Sequence, residues 1–411
     1  MSTQLPQGLS AATVEAIADA RDEPTWLRDR RQNALEALSE LSLPEVIKTP
    51  GREWTDFDAL PFEELVDPDD PLGATETTRS VTTDADAVSV MSMATAIDEH
   101  EELLEATLGE VLEPTQNYLT ALSAALFTTG TVVHVPAGVD AGEVTIRTTV
   151  ADDTPSVFGH TLVIAEESAS ATILQRTDAS EAPAHEEQYV SNLVEIVGEE
   201  NSTVQFGAIQ DVNEATYVYT HKRGQADAYA NIEWIEGNFG SRLTRSDVET
   251  VLDGEGSQSR IVGAFFGHED QHFDINARVW HEAAHTTADL ATRGVLDDTA
   301  RSVYEGLQHV GRDAWDTSSY QRENTLMLSD ASEADASPKL IINNHDTEAS
   351  HSASVGQVDE EDLFYLVSRG IDEETAVDTL VEGFFVPVLE EVNSNAMESE
   401  LTTLIEDRLD G

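Results

Sequence analysis

The sequence predicts a mainly β protein, with a long β core flanked by helical segments at both ends. Three observations carry this. From Phe127 to about Val355, short β-branched runs recur roughly every eight to twelve residues, separated by Gly, Asp, Asn and Ser. No long helical segment interrupts them, which excludes a doubly wound α/β sheet. On either side of that region, apolar residues recur at helical spacing instead. A sandwich or a solenoid remains. About 230 residues is long for one sandwich, and glycines at strand ends without two-residue hairpin signals favour a solenoid of stacked coils.

The N-terminal region, 1–126, reads as helices joined by an acidic linker. Trp26, Leu27, Ala34, Leu35, Leu38 and Leu41 share a helical face, and Pro24 suits a first turn. Residues 61–86 are rich in Asp, Pro and Thr and read as an exposed connection. Leu103, Leu104, Leu108 and Leu112 resume a helix that stops at Pro114, and Tyr118, Leu119 and Leu122 begin another. The core, 127–358, offers strands at Thr131–Val135, Thr161–Ile164, Thr216–Thr220, Asn231–Ile235, Val248–Leu252, Leu326–Leu328 and Leu340–Ile342. From 359 to 411 the chain turns helical again. Asp359 opens an acidic first turn, as the positive end of a helix favours. Ala376, Leu380, Phe384 and Val388 form one row, and Val377, Val381, Phe385 and Leu389 the adjacent one. Pro387 predicts a kink there. Leu401, Leu404, Ile405 and Leu409 continue a shorter stripe.

Composition sets further bounds. The net charge is −58, from 80 acids against 22 bases, and only Lys48, Lys222 and Lys339 are lysines. The acids are spread along apolar-periodic segments, so they describe a solvated acidic surface of the halophilic kind rather than a disordered tail. No basic stripe exists, which argues against nucleic acid as a partner. No cysteine exists, so neither a disulfide nor a thiolate ligand can come from this chain. Without a basic leader or a long apolar run, no membrane segment is expected, and the chain reads as soluble and cytoplasmic. No Walker A sequence is present, so no nucleotide is expected to be bound by this chain.

His281-Glu282-Ala283-Ala284-His285 matches the H-E-x-x-H zinc-hydrolase pattern, which requires both histidines on one face of a helix. Here Ile275, Ala277, Val279 and His281 alternate as in a strand, and Thr286-Thr287 follows where a helix should continue. A zinc-dependent hydrolase is therefore the weaker alternative. His268, Glu269, Asp270 and His272 could gather a divalent cation, although a solvated acidic turn explains them as well. His134 reads as a packed strand residue, and His100 and His185 as solvated ones. No complete enzyme site emerges.

The stretch from Pro338 to Gly370 holds the strongest candidate. The short strand Leu340–Ile342 runs into polar residues, and His351 follows among Ser350, Ser352, Ala353 and Ser354, side chains too small to hide it. Helix-forming Leu363-Phe364-Tyr365-Leu366 comes next, so the imidazole is expected at a strand-to-helix junction. Neutral imidazole suits iron, with Asp346 or Glu348 as candidate orienting acceptors. This wording resembles the SufD family of the Suf iron–sulfur machinery, through Pro338, Leu340, Ile342, Asp346, Ser350-His351, Ala353, Val355-Gly356, Asp359-Glu360, Leu363 to Leu366 and Ser368 to Ile371. Ser352 and Ser354 replace the family's Gly and Thr, and Ala349 stands where a Cys is frequent. The stretches Glu23–Leu38, Arg52–Asp56, Leu126–Val139 and Ala288–Ser332 are similar too.

The resemblance implies a right-handed parallel β-helix core and a non-catalytic scaffold subunit. It implies pairing with a SufB-like protein and docking of a SufC-like ABC ATPase on the C-terminal helices, with Phe384, Phe385 and Leu389 as candidate contacts. His351 becomes a candidate ligand for iron or a transient Fe–S cluster at the SufB-like interface. A homodimer is expected in isolation. A purely structural β-solenoid is the other alternative.

Overall fold

The computed structural model describes residues 8–50, 52–57, 60, 78–83, 88–151, 154–180 and 187–409. The connection expected over 61–86 therefore lies outside the described residues except at 78–83, which form a strand, and His185 lies outside them too.

Helices α1 (Ala11–Ala20) and α2 (Thr25–Ala37) open the chain, followed by the small hairpin β1 (Lys48–Thr49) and β2 (Arg52–Glu53). Then come β3 (Thr78–Thr83), β4 (Ser89–Ser92), α3 (Met93–Glu99), α4 (Glu101–Thr107) and α5 (Tyr118–Leu126). Ser10, Ser92 and Asn117 cap α1, α3 and α5 by accepting from backbone N–H groups three residues on.

A β-solenoid follows, built from coils of two strands each. They are β5 (Thr129–Val135) with β6 (Asp140–Val150), β7 (Ser156–Ala165) with β8 (Ser170–Ala179), β9 (Gln188–Gly198) with β10 (Thr203–Asp211), and β11 (Thr216–Ala226) with β12 (Asn231–Asn238). The stack continues through β13 (Leu243–Leu252) with β14 (Gln258–Gly267), β15 (His272–His281) with β16 (Thr287–Leu296), and β17 (Arg301–Val310) with β18 (Thr317–Met327). It ends at β19 (Glu333–Ile342) with β20 (Thr347–Gln357). From β5 on, odd strands pair in parallel in one sheet and even strands in the other. The chain closes with α6 (Glu360–Ser368), α7 (Glu373–Leu389) and α8 (Asn395–Leu409).

Strand alternation explains the interior. Every second residue of each strand points between the sheets, and parallel register stacks those residues into columns. One column reads Val144, Ile173, Phe206, Trp234, Ile261 and Leu290, all buried. At one corner of every coil but the last, a residue in left-handed backbone makes the turn: Gly138, Ser168, Asn201, Tyr229, Gly256, His285 and Asp316. Each of the first six donates its N–H to a carbonyl of the next corner, so the turns stack as the strands do. Small or Asx-type residues suit that conformation, and Gly256 fits it without penalty.

Helices cover the outer faces. All nine residues of α5 are buried, and its Leu119 and Leu122 pack with Leu27 and Leu35 of α2 against Tyr189, Leu193 and Tyr219 of the odd sheet. On the even sheet, Val381, Phe385 and Val388 of α7 and Leu401 and Leu404 of α8 meet Ile209, Ile235, Val262 and Phe266. Pro387 lies in the last turn of α7, where the helix is about to end.

With about one net negative charge per seven residues, this fold carries strong self-repulsion that mobile ions screen. Its denaturation midpoint is expected to fall as KCl is lowered from molar to tens of millimolar. A midpoint flat across that range would contradict the expectation.

Candidate functional site at the open end of the solenoid

The two ends of the solenoid differ. At the first coil, β4 pairs antiparallel with β5 and β3 antiparallel with β6, so both sheet edges are covered. At the last coil, β19 and β20 are the terminal strands of their sheets and, among the described residues, are hydrogen-bonded on one side only. Open edges invite pairing with another chain, and proteins ordinarily cover them. Burial collapses there as well. Ile341, Ile342 and Val355 are each more than 40% exposed.

His351 lies in the middle of β20 rather than at a strand-to-helix junction. The run Ser350 to Ser354 has no β-branched residues, yet pairing with β18 holds it extended. His351 is in register with buried Gln321, itself in register with Leu290. The inward column that is apolar from Val144 to Leu290 thus ends in Gln321 and then His351. The imidazole belongs to the row facing the lumen and is exposed because no coil covers it. Glu348 has the opposite parity and sits on the other face. Asp346 accepts the Asp316 N–H at 3.2 Å, fixing a corner instead of orienting His351.

Next to this end stands α6, capped by Asp359, which accepts from the N–H groups of Glu361 (2.7 Å) and Asp362 (3.2 Å). None of its residues is buried, and Phe364 is 74% and Tyr365 56% exposed. A helix that buries no face of its own has a bare apolar surface for a partner. The Arg52–Thr55 segment also reaches the last coils: Arg52 pairs with Glu333 (2.5 Å) and Asp335 (3.4 Å) of β19, and Thr55 touches His272 at 3.4 Å.

Two polar residues under His351 were not singled out by the sequence. Gln321 and Glu323 are inward-facing and 1% exposed. Burial pushes the Glu323 carboxyl up to about 7, against the lowering effect of the Thr325 hydroxyl bonded to it. The signal was present in Thr317-Ser318-Ser319-Tyr320-Gln321-Arg322-Glu323, a strand without an apolar row.

The zinc-hydrolase alternative is corrected by geometry. His281 ends β15, fully buried, with Nδ1 2.8 Å from the Thr286 hydroxyl and Nε2 3.0 Å from that of Ser319. Burial lowers its pKa to about 4, so it is neutral and both ring nitrogens are engaged. His285 sits at the corner turn with φ +61° and bonds exposed Asp316 at 2.8 Å. No helix carries the two histidines. The His268–His272 group also divides. His268 and Glu269 meet Glu214, while His272 lies on the outer face of the odd sheet beneath Thr55 and is lowered by burial to about 4. His134 pairs with Glu166 at 2.8 Å.

The three α7 candidates do not form an exposed patch. Phe385 is fully buried and stacks on Phe266 with ring centroids 6.5 Å apart, so it is a core residue of this chain instead of a docking contact. Phe384 is partly buried beneath the Arg293 guanidinium, 4.7 Å from the ring centroid, and Leu389 packs on the same cluster. Val386 is the large apolar side chain α7 exposes most, at 44%.

Among the described residues, no helix is long and apolar enough to cross a membrane. The chain is 28% identical over 424 residues to the iron–sulfur cluster assembly protein SufD of Bacillus subtilis (strain 168), covering 96% of both chains. It is also 28% identical over 423 residues to SufB of the same organism, covering 94% of this chain and 90% of that one. A SufBD family protein of Staphylococcus epidermidis (strain ATCC 12228 / FDA PCI 1200) is 28% identical over 422 residues, with the same coverage as SufB. The family model described as SUF system FeS cluster assembly, SufBD core domain, matches residues 147–384. That span, more than half of the chain, places this protein in the SufBD family of iron–sulfur cluster assembly proteins.

Proposed function

We propose that this chain is the SufD-type subunit of a cytoplasmic Suf scaffold, not itself an enzyme, from a salt-rich cell. Its open solenoid end pairs with a SufB-like protein, and His351 presents an imidazole to iron or a transient Fe–S cluster at that seam. The observation that carries this reading is a lumen-facing histidine on an uncovered terminal coil, in a chain with no cysteine. Sequence identity does not favour SufD over SufB, being 28% to each, but a chain without thiols has no sulfur ligand of its own and suits the subunit that leaves the thiolates to its partner. A SufC-like ABC ATPase would dock on the C-terminal helices around Val386, Phe384 and Leu389, since this chain lacks a phosphate-binding loop.

Co-expression with the SufB-like and SufC-like proteins of the same host tests the proposal. A stoichiometric complex is expected, with amide exchange slowed in residues 333–357 and 360–368. Protection elsewhere and none at this end would overturn the pairing mode. Failure of the chains to co-elute would overturn the scaffold reading.

A further inference from the structure

We infer that the solenoid lumen holds a K⁺-sized monovalent cation in a polar chamber at its third coil, with the Glu236 carboxylate as the anionic ligand. This goes beyond the proposed function and does not rest on it. The chamber has about 30 Å³ of room, enough for about two water-sized occupants, an ion and a water. Thr177, Asn192, Glu236 and Asn238 contribute polar side chains to its wall, and Val190, Val212 and Val218 close it on the side where each even strand turns back to the next odd one.

Register explains the space. Gln175, Ala208 and Glu236 stand in one inward row of the even sheet, and Thr161, Val194 and Lys222 in one of the odd sheet. In the second coil the Thr161 hydroxyl donates to Oε1 of Gln175 across the lumen at 2.8 Å. In the fourth, Lys222 meets Glu236 at 3.1 Å. The third coil has only Ala208 and Val194 at those places. A polar rung is therefore missing between two that are present, each one strand spacing or about 4.8 Å away.

One acceptor on this wall is unmet. Lys222 and Glu236 are 2% and 3% exposed. The ammonium spends its N–H groups on Glu236, on Thr220 (2.6 Å) and on Ser246 (3.1 Å). Oε2 of Glu236 accepts from that ammonium and from the Ser246 hydroxyl (3.2 Å), while Oε1 is buried without a hydrogen-bond partner. Buried acceptors are ordinarily satisfied. Gln210, also on the wall, is committed elsewhere, donating to the Gly240 carbonyl and the Thr244 hydroxyl and accepting from the Val212 N–H. Asn192 carries its oxygen over Gly159, where a Cβ would lie 2.7 Å away.

Charge decides the occupant. Burial pushes the Glu236 carboxyl upward against the pull of Lys222, but a proton on it would strip a buried ammonium of its counter-charge. A net charge of −58 favours a cation over an anion in the interior. One carboxylate shared with a lysine is too little negative charge for a divalent ion, whereas carboxylate, hydroxyl and amide oxygens with a water replace the hydration shell of K⁺.

The test uses the full isolated chain at one molar ionic strength, in KCl or in tetramethylammonium chloride. Screening is then equal, and only K⁺ is small enough for the chamber. The wild-type denaturation midpoint is expected to be about 2 °C or more higher in KCl. Glu236→Gln, which removes the anionic ligand, is expected to abolish that difference whatever its own midpoint. Should E236Q fail to fold, Ala208→Val, which fills the gap, carries the same comparison. Crystals grown in RbCl, with Rb⁺ standing in for K⁺, are expected to show an anomalous-scattering peak beside Oε1 of Glu236. Equal wild-type midpoints in the two salts, a difference that survives in the folded variant, or no Rb⁺ peak in the chamber would each overturn the inference and leave ordered water there. No partner enters the experiment, so those results leave the scaffold reading untouched.

Discussion

Replacing Glu23 with alanine is expected to cost about 3–5 kcal/mol of stability, because it strands a buried guanidinium. Arg31 and Glu23 both have fully buried side chains and meet in a two-pronged pair, with Nη2 2.6 Å from Oε1 and Nε 2.7 Å from Oε2. Arg31 also donates to the carbonyls of Ala125 (3.0 Å) and Phe127 (2.8 Å), and its guanidinium carbon lies 4.0 Å from the Phe127 ring centroid. One side chain thus ties α2 to the end of α5, where the chain enters the first coil. Equilibrium unfolding in molar KCl measures the effect. The double variant Glu23→Ala, Arg31→Met removes both charges and is expected to recover much of the loss. A Glu23→Ala midpoint within experimental error of wild type would show that the pair does not anchor the N-terminal helices.

Phe385→Asp is expected to destabilise by more than about 5 kcal/mol, combining loss of a buried ring with burial of an unpaired carboxylate. Phe385 sits between α7 and the even sheet against Phe266, within the cluster that also holds Leu401 and Leu404. Release of α7 and α8 should appear as new protease cleavage after residue 372 and a lowered midpoint. Val386→Asp, on the exposed side of the same helix, should change stability by no more than about 0.5 kcal/mol. The pair of variants separates packing from docking. A Phe385→Asp chain as stable as wild type would mean that these helices do not rest on the solenoid.

The solenoid was legible where its interior is apolar. Thr161–Ile164, Asn231–Ile235 and Val248–Leu252 all fall within observed strands, because alternating β-branched residues face a packed lumen. Legibility failed at the open end. Leu340–Ile342 marks only the last three residues of β19, and the whole of β20 read as a polar run. Its Ser and Ala residues have little intrinsic strand preference, and hydrogen bonding to β18 supplies the order instead. Pro338, unusual inside a sheet, is tolerated because β19 is an edge strand. The apolar row of α7 announced a helix and a buried face, but periodicity cannot tell a face buried on its own sheet from one reserved for another protein. For Phe385 the first holds. His351 stood out through its small neighbours, while Gln321 and Glu323 did not, since their inward parity exists only once register is known.

The most direct measurement is iron and sulfide content, with visible charge-transfer absorption, of the reconstituted complex carrying His351→Ala. The exposed imidazole makes no packing contact that alanine would empty, so stability should change by no more than about 1 kcal/mol. The account predicts a variant complex that assembles and hydrolyses ATP like wild type but retains several-fold less iron and sulfide. Wild-type cluster content in that complex would contradict it and return His351 to a purely structural place on the terminal coil.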